Sequence, residues 1–190
     1  MKHIMVTVIG LTLAFSSTPH AALANTGANG VLFDDVVVRN QKELKKTGTG
    51  MLRYMRVFKV YNAAFYLESG ASVDEVLDDK AKRFEVSYLR SFDGEDFGDA
   101  TYKALRKSIP ESEVVRLRPR IEYHNSLYEA VQPGDRYAVT YIPGRGTELA
   151  RNGELVGVIE GADFAAALFS IWVGDNPIDL DFRNELLGLR

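Results

Sequence analysis

The sequence predicts an α+β fold in which a β-meander feeds one strongly apolar helix, and three observations in residues 133–177 carry that expectation. The first is turn chemistry at regular intervals. Pro133-Gly134-Asp135 and Pro143-Gly144-Arg145-Gly146 each mark a turn, and Asn152-Gly153 is the φ > 0 pair of a two-residue hairpin. The second is period-two patterning between those turns: Tyr137, Val139 and Tyr141 alternate with Ala138, Thr140 and Ile142, Thr147 to Arg151 returns, and Glu154 to Ile159 follows as a third strand. The third is a switch of period after Gly161. Phe164, Leu168 and Trp172 recur at spacing four with Phe169 beside them, Asp163 can cap the start, Gly174 suits a left-handed residue after the end, and Pro177 stops any resumption.

The N-terminus predicts export. Lys2 and His3 are followed by an apolar run over residues 4–15, then by small and polar residues ending in Ala22-Leu23-Ala24. That is the layout of a secretory signal, with cleavage expected after Ala24 and a single domain over residues 25–190 in the periplasm or outside the cell. The apolar run is too short for a membrane span. The chain has no cysteine, which rules out a disulfide, a thiolate nucleophile, a Cys metal site and lipid attachment at the cut. Its net charge is −3, and its basic residues are interleaved with acidic ones, as in Asp78-Asp79-Lys80-Ala81-Lys82-Arg83. A nucleic-acid partner is not expected from that balance. Lys45-Lys46 and Arg116, Arg118 and Arg120 read as solvated faces.

The first half alternates short strands with helices. Val36-Val37-Val38 reads as a β segment, and residues 40–47 as a turn with an early edge strand. Residues 55–67 give the strongest β pattern: Val57, Lys59 and Tyr61 alternate with Phe58 and Val60 before the apolar Ala63-Ala64-Phe65-Tyr66-Leu67, which should be covered on both faces. Ser72-Val73-Asp74-Glu75 matches a capping box and starts a short helix. Residues 84–89 form a strand with Phe84, Val86 and Tyr88 on one side. Phe97, Thr101 and Leu105 mark a helix ending before Pro110, and Ile121, His124, Tyr128 and Val131 mark another that Pro133-Gly134 stops.

Two blocks in this order resemble the chalcone-isomerase-like family, most closely its bacterial exported members. The first is Gly48-Thr49-Gly50-Met51-Leu52-Arg53 followed by Lys59-Val60-Tyr61-Asn62-Ala63-Ala64-Phe65-Tyr66-Leu67-Glu68, similar to the family's glycine-rich turn, arginine and long central strand. The second is the meander with the helix ending at Gly174. The resemblance implies an open-faced β-sandwich, a large antiparallel sheet with helices packed on one face and a cleft between them. It places Arg53 where plant isomerases hold a phenolate and fatty-acid-binding relatives hold a carboxylate. A guanidinium suits either anion through two parallel hydrogen bonds.

The remaining isomerase positions depart from the family pattern. Tyr61 stands where the enzymes carry a strand threonine, Ile171 matches a second Thr or Ser with Trp172 next to it, and Phe97 and Ala104 match a tyrosine and an asparagine. Chalcone isomerase activity is therefore not expected, since such chemistry needs preorganised donors beside the arginine. With residues 1–24 removed, His124 is the only histidine, so His-pair metal sites and Ser-His-Asp sets have little to draw on. No metal or other cofactor is expected. Gly48-x-Gly50 and Gly144-x-Gly146 lack the Lys-Ser/Thr of a phosphate loop and read as turns. Asp93, Glu95, Asp96 and Asp99 lack Ca²⁺-loop spacing, and Asp175, Asp179 and Asp181 read as loop charges. Three functions stay open: a non-catalytic binder of a fatty-acid-like or other amphipathic carboxylate at Arg53, Tyr61, Ile171 and Trp172; a lyase or isomerase on a phenolic or enone substrate; and a ligand-free structural or partner-binding domain.

Overall fold

A computed structural model describes residues 30–55 and 57–189; the expected signal segment and its cut lie outside the described residues. Seven strands form one antiparallel sheet: β1 (Val36–Arg39), β2 (Lys42–Tyr54), β3 (Phe58–Glu68), β4 (Lys82–Tyr88), β5 (Arg136–Ile142), β6 (Gly146–Arg151) and β7 (Glu154–Ile159). Their order in the sheet is their order in the chain, β1 to β7. Helices α1 (Gly94–Ser108) and α2 (Glu111–Ser126) join β4 to β5, and α3 (Ala162–Val173) and α4 (Leu180–Leu186) follow β7.

The meander forms as its turn residues dictate. Asn152 and Gly153 take φ of 50° and 91°, the left-handed pair that matches the twist of β6 and β7. Alternation then sets two faces. Tyr61, Ala63 and Phe65 of β3, Phe84, Val86 and Tyr88 of β4, and Tyr137, Val139 and Tyr141 of β5 join the main core under the helices. From α3, Phe164, Leu168 and Phe169 are all buried against that core, as the helical spacing predicts. The opposite face carries a smaller cluster of Leu44, Ala64, Tyr66, Ala81 and Ile142, with Phe33 and Val37 from the chain entering the sheet. So β3 is apolar on both sides because both sides are covered.

Several boundaries differ from the sequence reading. The strongest β segment begins at Phe58, because Met55, at φ 51°, lies in the turn between β2 and β3. The helix expected through Tyr128 and Val131 spans Glu111–Ser126 instead. Val131 pairs with Phe92 as an isolated bridge, so its apolar character serves the sheet side of the core. The capping box at Ser72 is present, but it opens a single 3₁₀ turn over Val73–Glu75. Gly161 occupies the cap of α3 at φ 104°. Asp163 sits in the first turn, where it takes ion pairs from Arg120 and Arg116. Those two guanidiniums hold its carboxyl well below the usual carboxylate range. Arg116 and Arg120 therefore clamp α2 to α3 across the surface. Gly174 is extended, not left-handed; a Cβ there would lie 2.8 Å from the Ser170 carbonyl oxygen.

Two larger corrections concern residues 48–50 and 180–186. Gly48 and Gly50 lie inside β2, not in a turn. A Cβ on Gly48 would meet the Glu185 carbonyl oxygen at 2.1 Å, and one on Gly50 would meet Phe182 at 2.9 Å. The glycines exist so that α4 can seat its backbone on the strand. Helix α4 was not visible in the sequence. Asp179, read as a loop charge, is its N-cap and accepts from the Phe182 amide at 2.8 Å. Thr47 Oγ1 donates to the Leu186 carbonyl at 2.6 Å and fixes the other end.

Candidate functional site

The four residues expected at the site divide into a buried group and an exposed one. Tyr61 points from β3 toward the helices, one strand away from Phe84 in β4 and beneath α3. Trp172 Nε1 donates to the Tyr61 hydroxyl at 3.3 Å, joining residues 111 positions apart. The Trp172 ring stacks on Phe84 with centroids 4.2 Å apart and planes 23° from parallel. Phe182 of α4 and Tyr88 of β4 meet the Tyr61 ring edge-on, each at 5.9 Å. Ile171 is buried one residue away on α3. These contacts fill the space between helices and sheet with aromatic rings, which associate favourably in edge-on and offset geometry.

Within that apolar setting Tyr61 is the polar point. Burial pushes its hydroxyl well above the ordinary tyrosine range, with the Trp172 donor acting weakly the other way. It is a neutral phenol at physiological pH and cannot serve as a general base. Its oxygen accepts from Trp172, while its own O–H has no acceptor among the described residues. A donor aimed into an apolar site without a partner is costly unless something occupies it.

Arg53 lies close in the strand order but in a different environment. Leu52 is paired with Tyr61, and the register then slips so that Arg53 opposes Lys59. The Arg53 side chain is exposed and makes no hydrogen bond or ion pair to a described residue. The structure thus brings Tyr61 and Trp172 together, buries Ile171 next to Trp172 in the chain, and leaves Arg53 exposed toward the outer end of the same hairpin.

Two open depressions lie elsewhere. One of about 410 Å³ is on the sheet face away from the helices, lined by residues including Asp34, Arg83, Glu85 and Arg136. The other, about 590 Å³, lies between the start of α1 and the end of α2 and is lined by Asp93, Glu95, Asn125 and Tyr128 among others. Neither is lined by Arg53, Tyr61, Ile171 or Trp172. Phe97, at the position matched to a family tyrosine, stacks on Tyr128 with centroids 4.6 Å apart and lies in the core. His124 is buried between Tyr128 and Phe164. With its proton on Nδ1 it can donate to Asn125 Oδ1 and accept from the Tyr128 hydroxyl, both at 3.4 Å. Among the described residues no cluster of three or more His, Cys, Asp or Glu could hold a metal ion. No described helix is long and apolar enough to cross a membrane.

Nothing in the sequence signalled that Phe84, Phe182 and Tyr88 would surround Tyr61. Phe84 and Tyr88 carried only the ordinary alternation of a core strand, and Phe182 lay in a helix that sequence patterning did not reveal.

Comparison with known proteins gives the chain a place. No sequence among curated proteins matches it. Among solved structures, a fatty-acid-binding protein of Arabidopsis thaliana superposes with a TM-score of 0.63 at 15% identity, over 83% of this chain and 92% of that one. At that identity the likeness shows a common fold. A sequence model of the family described as chalcone isomerase-like matches residues 25–188, nearly all of the sheet and helices described above. The chain belongs to the chalcone isomerase-like family.

Proposed function

We propose that this protein binds a fatty-acid-like or other amphipathic carboxylate without acting on it chemically. In this reading Arg53 meets the anion at the mouth of the helix–sheet cleft, and Tyr61, Ile171 and Trp172 line the way in. The observation that carries it is a pair of unused donors on one hairpin. The buried Tyr61 hydroxyl has no acceptor among the described residues, and the Arg53 guanidinium, beside the strand position opposite Tyr61, has no anionic partner there. The shared fold of the Arabidopsis fatty-acid-binding protein supports the ligand class. Entry requires the Phe84–Trp172 stack and Phe182 to give way. Trp172 is the half-buried member of that group and sits near the end of α3, where displacement disturbs least.

Titration of a fluorescent fatty acid tests the reading. Arg53→Ala weakens binding by about 1.5–3 kcal/mol, the range for a hydrogen bond to a charged group. Arg53→Lys recovers part of the loss, since an ammonium cannot form the forked pair. Tyr61→Phe has a smaller effect, because the phenol is an auxiliary donor to a carboxylate already neutralised. Equal affinity in wild type and Arg53→Ala removes Arg53 from the site. A second reading, a ligand-free domain that binds partner proteins, rests on the aromatic rings that fill the cleft. Wild type that takes up no fatty acid favours it.

The proposal includes export. The mature protein begins at Asn25, by cleavage after Ala24 in a small-x-small site. N-terminal sequencing of protein recovered from outside the cytoplasm reads Asn25 first; a soluble pool retaining Met1 overturns the export reading.

A further inference from the structure

The far end of the β2–β3 hairpin has a composition that neither the fold nor the ligand site needs. Tyr54, Met55, Val57 and Phe58 are 61%, 71%, 73% and 46% exposed. They are consecutive large apolar residues apart from Arg56, and soluble surfaces seldom show such a contiguous group without a use. The hairpin also projects. Register pairing of β3 with β4 ends at Tyr61↔Tyr88 and the last backbone bond runs from the Leu89 amide to the Val60 carbonyl, so Phe58 and Lys59 extend about 7 Å beyond it at the rise of a β-strand. The turn is closed by the Val57 amide donating to the Tyr54 carbonyl at 3.2 Å. Its side chains are therefore presented on a braced element.

The charge carried by the hairpin's own residues has one sign. No acidic residue occurs between Glu43 and Glu68, whereas Arg53, Arg56 and Lys59 fall within the tip segment itself. Arg90, entering from the end of β4, places its guanidinium over the Phe58 ring at 5.1 Å. The whole chain carries −3, so this hairpin is a cationic segment on an acidic protein. Apolar side chains ringed by Arg and Lys match the boundary of an anionic bilayer, where rings and aliphatic groups enter the acyl edge and cations meet headgroup phosphates. An isologous contact between two copies would set these cations against each other, which disfavours self-association through the tip.

We propose that the β2–β3 hairpin tip docks this protein onto an anionic lipid surface, with Tyr54, Met55, Val57 and Phe58 entering the interface and Arg90 contacting headgroups. The docking is independent of fatty-acid binding.

Co-sedimentation of the purified protein with vesicles free of fatty acid tests it. Vesicles of phosphatidylcholine with phosphatidylglycerol pellet the wild type, phosphatidylcholine alone pellets far less, and added salt releases it. Met55→Asp with Val57→Asp lowers the partition at least about tenfold, since each lost apolar contact removes insertion and each new anion is repelled. Arg56→Ala with Arg90→Ala lowers it about 25-fold on anionic vesicles, at roughly fivefold per cation near the surface. Circular dichroism and the fatty-acid titration on both double variants report whether fold and ligand site are kept. Wild type that fails to pellet with anionic vesicles overturns the proposal, and so do folded tip variants that pellet as well as wild type. Retained vesicle binding in protein that takes up no fatty acid leaves the docking standing and removes only the ligand reading.

Discussion

Gly48→Val unseats the C-terminal helix and costs about 3–5 kcal/mol of stability. The added Cβ alone would sit 2.1 Å from the Glu185 carbonyl oxygen and 2.8 Å from that of Leu186. Both are backbone atoms of α4 or its immediate end, so no rotamer change relieves the clash, and overpacking against backbone is at the costly end of such substitutions. If α4 lifts, Phe182, Leu186 and Leu187, all buried, return to water. Each carries about 1.5–3 kcal/mol of burial, of which a partial return accounts for the expected loss. Urea unfolding measures the difference, and limited proteolysis should find a new early cut near residue 180. Gly70→Ala is the control: Gly70 also has an unusual backbone, φ 90°, but nothing lies within 4 Å of the added Cβ. Its cost stays at about 1 kcal/mol, from the strained backbone alone. Gly48→Val within 1 kcal/mol of wild type would refute the close-approach role.

Acid should destabilise the fold through His124. Burial lowers this imidazole from its ordinary 6.5 to about 4, with the Asn125 side chain acting weakly the other way. A folded-state pKa below the unfolded one means the unfolded chain binds the proton first. Stability from the neutral ring is thus fully present above pH 6.5 and lost as the pH falls toward 4. A shift of that size corresponds to about 3 kcal/mol. His124→Leu packs the same space between Tyr128 and Phe164 without a titrating group. Its stability should be flatter across that window, although it leaves the Tyr128 hydroxyl without its partner and so starts lower. Chemical denaturation at closely spaced pH values reads the slope directly. An unchanged slope in His124→Leu would assign the acid sensitivity elsewhere.

The meander was legible because its turns are written in residues with few alternative uses. Asn152-Gly153 forms the hairpin, and period-two patterning then placed Tyr137, Val139 and Tyr141 on one face. The glycines at 48 and 50 were legible as important but not as to reason. Glycine marks both a turn and a surface that another backbone must approach, and only the position of α4 distinguishes the two. Helix α4 escaped because seven residues give less than two turns of pattern, and its Asp179 cap resembles any loop aspartate. At the site, the Tyr61–Trp172 pair spans too much sequence for any local rule. Both residues were identified by resemblance to a family, and the rings of Phe84 and Phe182 around them came only with the tertiary structure. The exposure of Arg53 at a register slip could not be read from spacing.

The sheet order has a consequence for how the chain comes to be complete. Because each strand pairs with the one made before it, β1 through β7 can be laid down in the order in which a ribosome delivers them, with α1 and α2 intervening between β4 and β5. One connection reaches much further back. Helix α4, made after every strand of the sheet, returns to β2, and Thr47 waits for a carbonyl 139 residues downstream. Phe182 arrives with it as one wall around Tyr61. A nascent chain can therefore hold a nearly finished sheet while the aromatic group around Tyr61 still lacks a side, and that side is supplied only when residues 180–186 emerge.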